Sequence, residues 1–172
     1  MKKGYIHVYT GDGKGKTTAS LGLAVRAAGA GLKVFIAQFV KGRDYSELKT
    51  LDYLRDWITI RRYGRKSFIH GNPRPEDIQA AQKGISQVRE VLLSGDYDLV
   101  ILDEINIAVF LKIITVEEVM NLISLKPDNV ELVLTGRRAP EEVIRRADLV
   151  TEMKSIKHYY DKGVQARTGI EK

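Results

Sequence analysis

The segment from Val8 to Thr18 constrains the fold of this chain more than any other. It reads Val-Tyr-Thr-Gly-Asp-Gly-Lys-Gly-Lys-Thr-Thr, which places a glycine-rich loop between an apolar strand and an alanine-rich helix. Such a loop surrounds phosphate oxygens with backbone amides, and the positive end of the helix dipole points at the same place. Lys16 is spaced to reach outer phosphates and the Thr17 hydroxyl to ligate Mg²⁺. The segment therefore predicts a nucleoside triphosphate site.

The match to the pattern G-x-x-x-x-G-K-[ST] is close but irregular. Gly15, Lys16 and Thr17 fit its end, whereas Thr10 stands where the first glycine is expected. A glycine-rich turn before any helix is the alternative interpretation, and the strand and helix on either side argue against it. The displaced glycine suggests a loop adapted to a task other than ordinary γ-phosphate hydrolysis. The predicted phosphate-binding residues are Thr10, Gly11, Asp12, Gly13, Lys14, Gly15, Lys16, Thr17 and Thr18.

Size and composition predict one domain over residues 1–172, with 154–172 as a carboxyl-terminal tail or lid. No apolar run is long enough to span a bilayer, so no membrane association is expected. The basic start, Met1 to Lys3, is followed by an apolar run that breaks at Thr10, which argues against a secretion signal. The absence of cysteine excludes disulfides and thiolate metal sites. A cytoplasmic location is predicted.

The net charge of +6 predicts an anionic partner, either a triphosphate or a nucleic acid. The basic residues are not gathered into a tract of lysine and arginine with interleaved aromatic residues, and the densest basic group, Arg61 to Lys66, is short. A solvated loop explains this group about as well as a binding patch does. Nucleic acid is therefore not expected as the partner.

Strand and helix patterns alternate along the chain. Pro75 opens a long helix whose apolar face comprises Ile78, Ala81, Ile85, Val88 and Leu92, and Gly95 ends it. Thr115 and Glu118 form a capping box for a later helix. The alternation predicts a parallel sheet with right-handed crossovers. Together with the glycine-rich loop, it predicts an α/β fold of the P-loop NTPase (RecA-like) type, with three αβα layers and a mostly parallel central sheet. The predicted strands are 5–9, 33–40, 57–61, 97–102, 131–135 and 149–153, and the predicted helices 19–25, 46–55, 75–94, 115–123 and 140–146.

Two carboxylates, Asp103 and Glu104, end the apolar strand that begins near Tyr97. In P-loop proteins a carboxylate at this place holds Mg²⁺ opposite the loop threonine, so the predicted metal ligands are Thr17, Asp103 and Glu104. Helix capping by Asp103 is the alternative, and the two roles are compatible. Arg137 follows the next strand and is placed to grip phosphate oxygens, although a basic turn would look the same.

Several segments together resemble the P-loop family of ATP:corrinoid adenosyltransferases, and the resemblance covers nearly the whole chain. The loop with its displaced glycine and extra Lys14 is typical of that family, and the tail is its most specific element. The segments that carry the resemblance are Thr10–Thr18, Gln38–Gly42, Leu102–Asn106, Thr135–Arg137, Ala147–Met153, Lys157–His158, Gly163–Ala166 and Gly169–Glu171.

The resemblance implies that the chain moves the 5′-deoxyadenosyl group of ATP to the Co(I) centre of a corrinoid and releases triphosphate. It implies catalytic roles for Lys16, Thr17, Glu104 and Arg137 around the departing polyanion. The expected participants are ATP, a corrinoid and Mg²⁺, with a flavoprotein as the cobalt reductant and a homodimer as the assembly. The family is thought to bind ATP reversed relative to ordinary P-loop enzymes, which would explain the irregular loop.

The corrinoid-facing loop of the family departs from its usual pattern here. Phe68 matches the family phenylalanine, but His70 stands where a tryptophan is expected two places later. A smaller ring would pack less apolar area against the corrin, so the resemblance predicts weaker displacement of the lower cobalt ligand or a preference for a corrinoid that lacks one. The chain begins almost at its first strand, and the amino-terminal extension of longer relatives is therefore expected to be absent or minimal.

Two other classes of protein contain a glycine-rich loop of this kind. A RecA-like ATPase that acts on nucleic acid would release ADP and phosphate, and it needs a basic tracking surface that the sequence does not display. A small-molecule kinase would release ADP and a phosphorylated acceptor. Product identity separates both from the transferase, which releases triphosphate.

Overall fold

The computed structural model describes residues 1–42, 45–65, 69 and 71–171. A sheet of six parallel strands runs through it in the order β3-β2-β4-β5-β1-β6. The strand carrying the acidic pair is thus separated from the strand before the glycine-rich loop by β5. The strands are β1 (Ile6–Thr10), β2 (Val34–Phe39), β3 (Ile58–Tyr63), β4 (Leu99–Asp103), β5 (Glu131–Thr135) and β6 (Leu149–Glu152).

Helices cover both faces of this sheet, which confirms the predicted three-layer α/β architecture. One face packs against α1 and α2, with Ala24 and Leu51 in the contact, and the other packs against α3 and α5, with Val88 and Leu122. The helices are α1 (Lys16–Gly29), α2 (Ser46–Asp52), α3 (Pro75–Ser94), α4 (Ile105–Phe110), α5 (Val116–Leu125) and α6 (Glu141–Arg146), and a short 3₁₀ helix follows at Tyr159–Lys162. None of the helices in the described ranges is long and apolar enough to cross a membrane.

Most predicted elements are found close to their predicted bounds. Pro75 opens α3, Gly95 follows its end in a left-handed conformation, and the capping box of Thr115 and Glu118 is present at α5. Ile78, the first residue of the predicted apolar face, is 41% exposed, whereas the other four residues of that face are buried. The first turn of α3 instead buries Asp77, whose carboxylate accepts hydrogen bonds from Arg65 and the Arg74 amide.

The remaining differences concern single elements. Strand β3 extends to Tyr63, two residues beyond its prediction, because it pairs along its whole length with β2. Helix α4 directly after the acidic pair was not predicted, since its six residues are too few to display a helical period. Strand β6 lies at the edge of the sheet, and all four of its residues are exposed.

Candidate active site

The glycine-rich loop is built against the end of β6. Gly11 and Gly15 adopt positive φ values of 94° and 111°, a region that favours glycine. A Cβ atom on Gly13 would lie 2.7 Å from the carbonyl oxygens of Met153 and Lys154, so the loop and the sheet edge touch backbone to backbone. The Gly13 amide donates a hydrogen bond to the Met153 carbonyl at 2.7 Å. These contacts explain why the loop is glycine-rich.

Thr10, which replaces the expected first glycine, has a structural partner. Its side-chain Oγ1 accepts a hydrogen bond of 3.2 Å from the amide of Ala139, in the segment between β5 and α6. The residue thereby ties the beginning of the loop to the loop that carries Arg137. A glycine at this position would lack that tie.

Lys16 is buried inside the curl of the loop. Its ammonium donates to the carbonyl oxygens of Gly11 at 2.6 Å and Gly13 at 2.5 Å. Burial lowers the pKa of Lys16, and the nearby Arg137 guanidinium lowers it further. The ammonium is thus held by two neutral carbonyls at a place where phosphate oxygens would be stronger partners.

Asp103 is fully buried at the carboxyl end of β4, and side chains from several elements hold it. Its Oδ1 accepts from the hydroxyls of Thr17 at 3.0 Å and Thr135 at 2.7 Å, and its Oδ2 accepts from the amide of Gln38 at 3.2 Å. The predicted proximity of Thr17 and Asp103 is therefore observed. Asp103 does not cap the following helix: Glu104 occupies the cap position, so that alternative is wrong.

Lys41 is a member of this cluster to which the sequence analysis gave no role. Its ammonium lies 2.8 Å from Asp103 Oδ2, 2.8 Å from Thr17 Oγ1 and 4.0 Å from Glu104 Oε1. Burial opposes the charged form, but the charges of Asp103 and Glu104 outweigh it and raise the pKa of Lys41. The position of the lysine, two residues beyond the carboxyl end of β2, was the available signal, because parallel strand ends share one sheet edge.

Glu104 has an unusual backbone conformation for a residue with a side chain. Its φ is 60°, and its amide donates to Thr135 Oγ1 at 3.0 Å. The carboxylate lines the cavity beside the loop, and burial raises its pKa although Lys41 opposes the shift. Non-glycine residues in this region cost free energy and are concentrated at functional sites.

Arg137 follows β5 and lines the same cavity as Lys16 and Glu104. Its guanidinium is more than half exposed and lies 4.0 Å from the Asp12 carboxylate. Gly136 before it has a φ of 130°, and a Cβ there would meet Asn106 at 3.1 Å. The arginine is therefore placed by a turn that packs against α4, with its head free to contact an anion in the cavity.

The cavity has a volume of about 750 Å³ and opens between the glycine-rich loop, α1, α2 and the tail. Of the predicted phosphate-binding residues, Gly13 to Thr18 line it, whereas Thr10, Gly11 and Asp12 build the loop outside its lining. Lys41, Glu104 and Arg137 line the side near the sheet edge, and Gly169, Ile170 and Glu171 line it from the tail. The two predicted corrinoid contacts, Phe68 and His70, lie outside the described residues.

The tail returns to the glycine-rich loop at Lys14. The Lys14 ammonium donates to Glu171 Oε1 at 2.6 Å and to the Tyr159 hydroxyl at 2.5 Å. Glu171 also accepts from Tyr159 and from the backbone and side chain of Arg167. The lack of periodicity in this segment thus reflects side-chain anchoring rather than regular secondary structure.

The described residues fit a magnesium ion that arrives with a nucleotide. Thr17, Asp103 and Glu104 offer hard oxygen atoms, and Gln38 Oε1 beside them is buried without a hydrogen-bond partner in the structure. The described part of the chain contains no group of three or more histidine or acidic residues suited to a metal. Mg²⁺ commonly takes one or two carboxylates and completes its shell with water and phosphate oxygens.

The fold and the loop define this chain as a P-loop nucleotide-binding protein of the RecA-like type. The RadB recombinase has a similar structure, with a TM-score of 0.58 over 91% of this chain and 77% of that one, and at 12% identity this likeness concerns the fold alone.

The chain belongs to the ATP:corrinoid adenosyltransferase BtuR/CobO/CobP family, whose model matches residues 2–171. It is 36% identical to a corrinoid adenosyltransferase of Sinorhizobium sp, over 99% of this chain and 81% of the relative. It is 32% identical to the corrinoid adenosyltransferase of Escherichia coli K12 and 33% to that of Salmonella typhimurium LT2, called CobA, in each case over 99% of this chain and 86% of the relative. The protein is thus an enzyme that transfers an adenosyl group from ATP to a corrinoid.

Proposed function

We propose that the cavity beside the glycine-rich loop binds ATP so that its 5′ carbon faces the Co(I) centre of a corrinoid. Cobalt supplies the electron pair for the new Co–C bond, the bond between C5′ and its oxygen breaks, and triphosphate leaves with that bonding pair. The reaction needs no base to activate the nucleophile. The protein's tasks are to position C5′ and to stabilise a polyanion whose charge grows as the bond breaks.

The observation that carries this proposal is the convergence of cationic groups on one cavity. Lys16, Arg137 and Lys41 line it together with the amides of the glycine-rich loop. Lys16 is buried, which strengthens its interaction with a developing negative charge relative to water. We assign Lys16 and Arg137 to the triphosphate and Gly13 to Thr18 to its cradle, with Thr10, Gly11 and Asp12 supporting that cradle.

The proposal includes Mg²⁺, held by Thr17 together with Asp103 and Glu104. When bound, it would supply additional positive charge to the leaving triphosphate. Asp103 is fixed by hydrogen bonds from Thr135 and Gln38, so its orientation is set before any ligand arrives. Glu104 reaches the cavity directly and would complete the ligand set with phosphate oxygens.

The corrinoid specificity is proposed to depend on Phe68 and His70, as the family pattern suggests. Replacing His70 with tryptophan would increase the apolar area offered to the corrin. We expect His70→Trp to raise the rate with cobalamin more than the rate with cobinamide, which lacks the lower nucleotide ligand. Equal effects on both corrinoids would contradict this role for His70.

The setting of the enzyme is proposed from the family resemblance. We infer a cytoplasmic homodimer that receives Co(I) corrinoid from a flavoprotein reductase. We also propose that the tail, residues 154–172, closes over the nucleotide, a role supported by the contacts of Glu171 and Tyr159 with Lys14.

The decisive experiment is an anaerobic assay of the purified protein with Mg·ATP and chemically reduced Co(I) cobalamin or cobinamide. Formation of the cobalt–carbon bond is followed in the visible spectrum, and the phosphate product is identified by chromatography. We expect a light-sensitive adenosylated corrinoid and intact triphosphate in equal amounts. ADP and phosphate without a corrinoid product would indicate an ATPase, and ADP with a phosphorylated acceptor a kinase.

Two variants make this assay specific to the site. Lys16→Ala removes the buried ammonium, and we expect a fall in kcat of about 10²–10³-fold, the size found when one preorganised transition-state donor is lost. Lys49→Ala, on the exposed surface of α2, makes the same change in charge and should keep activity. Similar losses in both variants would contradict the assignment of Lys16.

A further inference from the structure

The Lys41 ammonium lies among the same oxygen atoms that we assign to magnesium. It is within hydrogen-bond distance of Asp103 and Thr17 and lies 4.0 Å from Glu104. Thr17 Oγ1 and Asp103 Oδ2 already accept hydrogen bonds from the ammonium, so an ion bound to both at the usual Mg–O distance of about 2.0–2.1 Å would compete with it for the same oxygen lone pairs. Lysine and metal therefore exclude each other at this place.

The backbone holds Lys41 there by a strained turn. Val40 has a φ of 62°, a conformation that is a genuine outlier for a β-branched residue. The turn is pressed against the end of β3: a Cβ on Gly64 would lie 2.6 Å from the Lys41 amide nitrogen, and one on Gly42 would lie 2.2 Å from the Arg65 carbonyl. Such strain persists where the surroundings over-determine the backbone, and it is typical of functional positions.

We propose that Lys41 is the resident cation of the metal position. Its ammonium offsets one charge of the acidic pair in the nucleotide-free protein, and it gives up this place when a divalent cation enters with the triphosphate. This inference rests on the proposed magnesium site. Its consequence is that the site accepts a metal only together with a polyphosphate, because a metal alone must displace a charge-paired lysine without providing it a new partner.

The flexible side chain of Lys41 allows its displaced ammonium to bind elsewhere in the same cavity. Lys41 lines the same cavity as Lys16 and Arg137, where a triphosphate would offer several oxygen acceptors. The ring of Tyr45 also lies near, with its centroid 5.7 Å from the ammonium, which gives the cation an aromatic face on the cavity side. The exchange thus replaces a lysine–aspartate pair with a metal–aspartate pair and a lysine–phosphate pair.

The test measures Mn²⁺ binding to the nucleotide-free full chain by electron paramagnetic resonance. We expect weak binding by the wild type and binding of one ion at least about tenfold tighter by Lys41→Met, because the carboxylates then lack a counter-charge. Lys49→Met is the matched control and should behave as the wild type does. Equal Mn²⁺ affinities in the wild type and Lys41→Met would overturn the proposal.

Two further arms identify the site and guard against misfolding. Asp103→Asn in the Lys41→Met background should abolish the gained affinity, and a gain that survives this change would also overturn the proposal. If Lys41→Met does not fold, Lys41→Gln removes the charge and keeps a polar head, and it carries the same expectation. Folding is checked by circular dichroism for each variant.

Wild-type protein with Mn²⁺ and inorganic tripolyphosphate separates this inference from the proposed function. Binding in the presence of tripolyphosphate that is lost in Asp103→Asn supports the metal site itself. If that binding occurs but Lys41→Met gains no affinity without polyphosphate, the metal site stands and the role of Lys41 falls. If Asp103 has no effect in either condition, the proposed metal site falls as well.

Discussion

Two lysine–carboxylate pairs lie beside the glycine-rich loop. They are similar in length but differ in position, burial and the groups that hold them. The inner pair, Lys41 and Asp103, is 2.8 Å long and lies at the carboxyl ends of β2 and β4. The outer pair, Lys14 and Glu171, is 2.6 Å long and joins the loop to the tail. Asp103 is fully buried, whereas the Lys14 side chain is 40% exposed. Pairs of similar length therefore differ in how much breaking them costs in free energy, because burial strengthens the interaction between charges and exposure to water weakens it.

The difference lies in how each pair is anchored. Hydroxyl and amide groups from Thr17, Thr135 and Gln38 hold Asp103 between strands. Glu171 is held by Tyr159 and Arg167, which belong to the same tail and would move with it. The inner pair is thus part of the sheet, while the outer pair is a contact that the tail makes or breaks as a unit.

The largest expected effect comes from breaking the inner pair with Asp103→Asn. The change leaves the mostly buried Lys41 ammonium without its nearest carboxylate, and loss of one member of a buried pair costs up to about 3–5 kcal/mol in the free energy of unfolding. We also expect adenosyl transfer to fall below detection because a proposed metal ligand is lost. Urea unfolding and the anaerobic assay measure the two quantities separately.

A control variant distinguishes loss of stability from loss of chemistry. Gly84→Ala in α3 would place its Cβ 2.7 Å from the Phe39 and Tyr63 rings. This overpacking should lower the free energy of unfolding by about 1–3 kcal/mol. At a temperature where the variant remains folded, its turnover should match the wild type. If Gly84→Ala lost activity as Asp103→Asn does, the inner pair would have no special chemical role.

A smaller effect is expected from Thr135→Val, which keeps the shape of the side chain. The hydroxyl donates to Asp103 and accepts from the Glu104 amide. Its removal leaves the Glu104 amide without an acceptor, which should cost about 1–3 kcal/mol in the free energy of unfolding. We expect weaker Mn²⁺ binding in the presence of tripolyphosphate, since the Asp103 carboxylate loses an orienting hydrogen bond and the Glu104 backbone loses the acceptor of its amide. Thr135→Ser, which restores the hydroxyl, should recover the metal affinity; failure to recover would assign the loss to packing.

The smallest effect is expected when the outer pair is broken with Glu171→Gln. Exposed ion pairs contribute little, so kcat/KM for ATP should change by less than about fivefold. The backbone amide of Arg167, which donates to Glu171 at 2.7 Å, should exchange its hydrogen faster in the variant. A loss of activity as large as that of Asp103→Asn would erase the distinction between the two pairs.

The pH dependence of the outer pair has a definite sign. Hydrogen bonds from Arg167, Lys14 and Tyr159 lower the pKa of Glu171 below its ordinary value of 4.5. A carboxyl group whose pKa is lowered on folding stabilises the folded contact fully above 4.5, and this contribution is lost as the pH falls through the lowered pKa. The difference in Arg167 amide protection between wild type and Glu171→Gln should therefore be constant at neutral pH and shrink in acid. High salt should reduce it as well.

The sequence predicted the inner edge of the site only in part. The structure brings Thr17 and Asp103 together and puts Glu104 in the lining of the same cavity as Thr17, because each follows a local pattern, a loop motif or the end of an apolar strand; their role as metal ligands stays a prediction. Lys41 was missed because its partner lies 62 positions away along the chain, and its segment Gln38–Gly42 entered the sequence analysis only as part of the family resemblance, with no role for the lysine. Helix α4 was missed for another reason, since the six residues Ile105–Phe110 are too few to display a helical period.

The tail shows where local patterns stop being informative. Its residues have no helical or strand period, and the contacts of Glu171 with Lys14 span 157 positions. Only the spatial return of the chain creates that pair. The exposure of Ile78 could not be read from helical spacing, because the period identifies the apolar face of a helix but not how much of that face the neighbouring layer covers.

The backbone contact between the glycine-rich loop and the end of β6 affects how many donors a nucleotide finds. The Gly13 amide is already engaged by the Met153 carbonyl, so a phosphate entering the loop meets one amide fewer than the loop's length suggests. The grip on the polyanion must then come more from side-chain charge than from the main chain. Anything that displaced β6 would release that amide and change the affinity for triphosphate, which makes the exposed sheet edge and the nucleotide energetically linked.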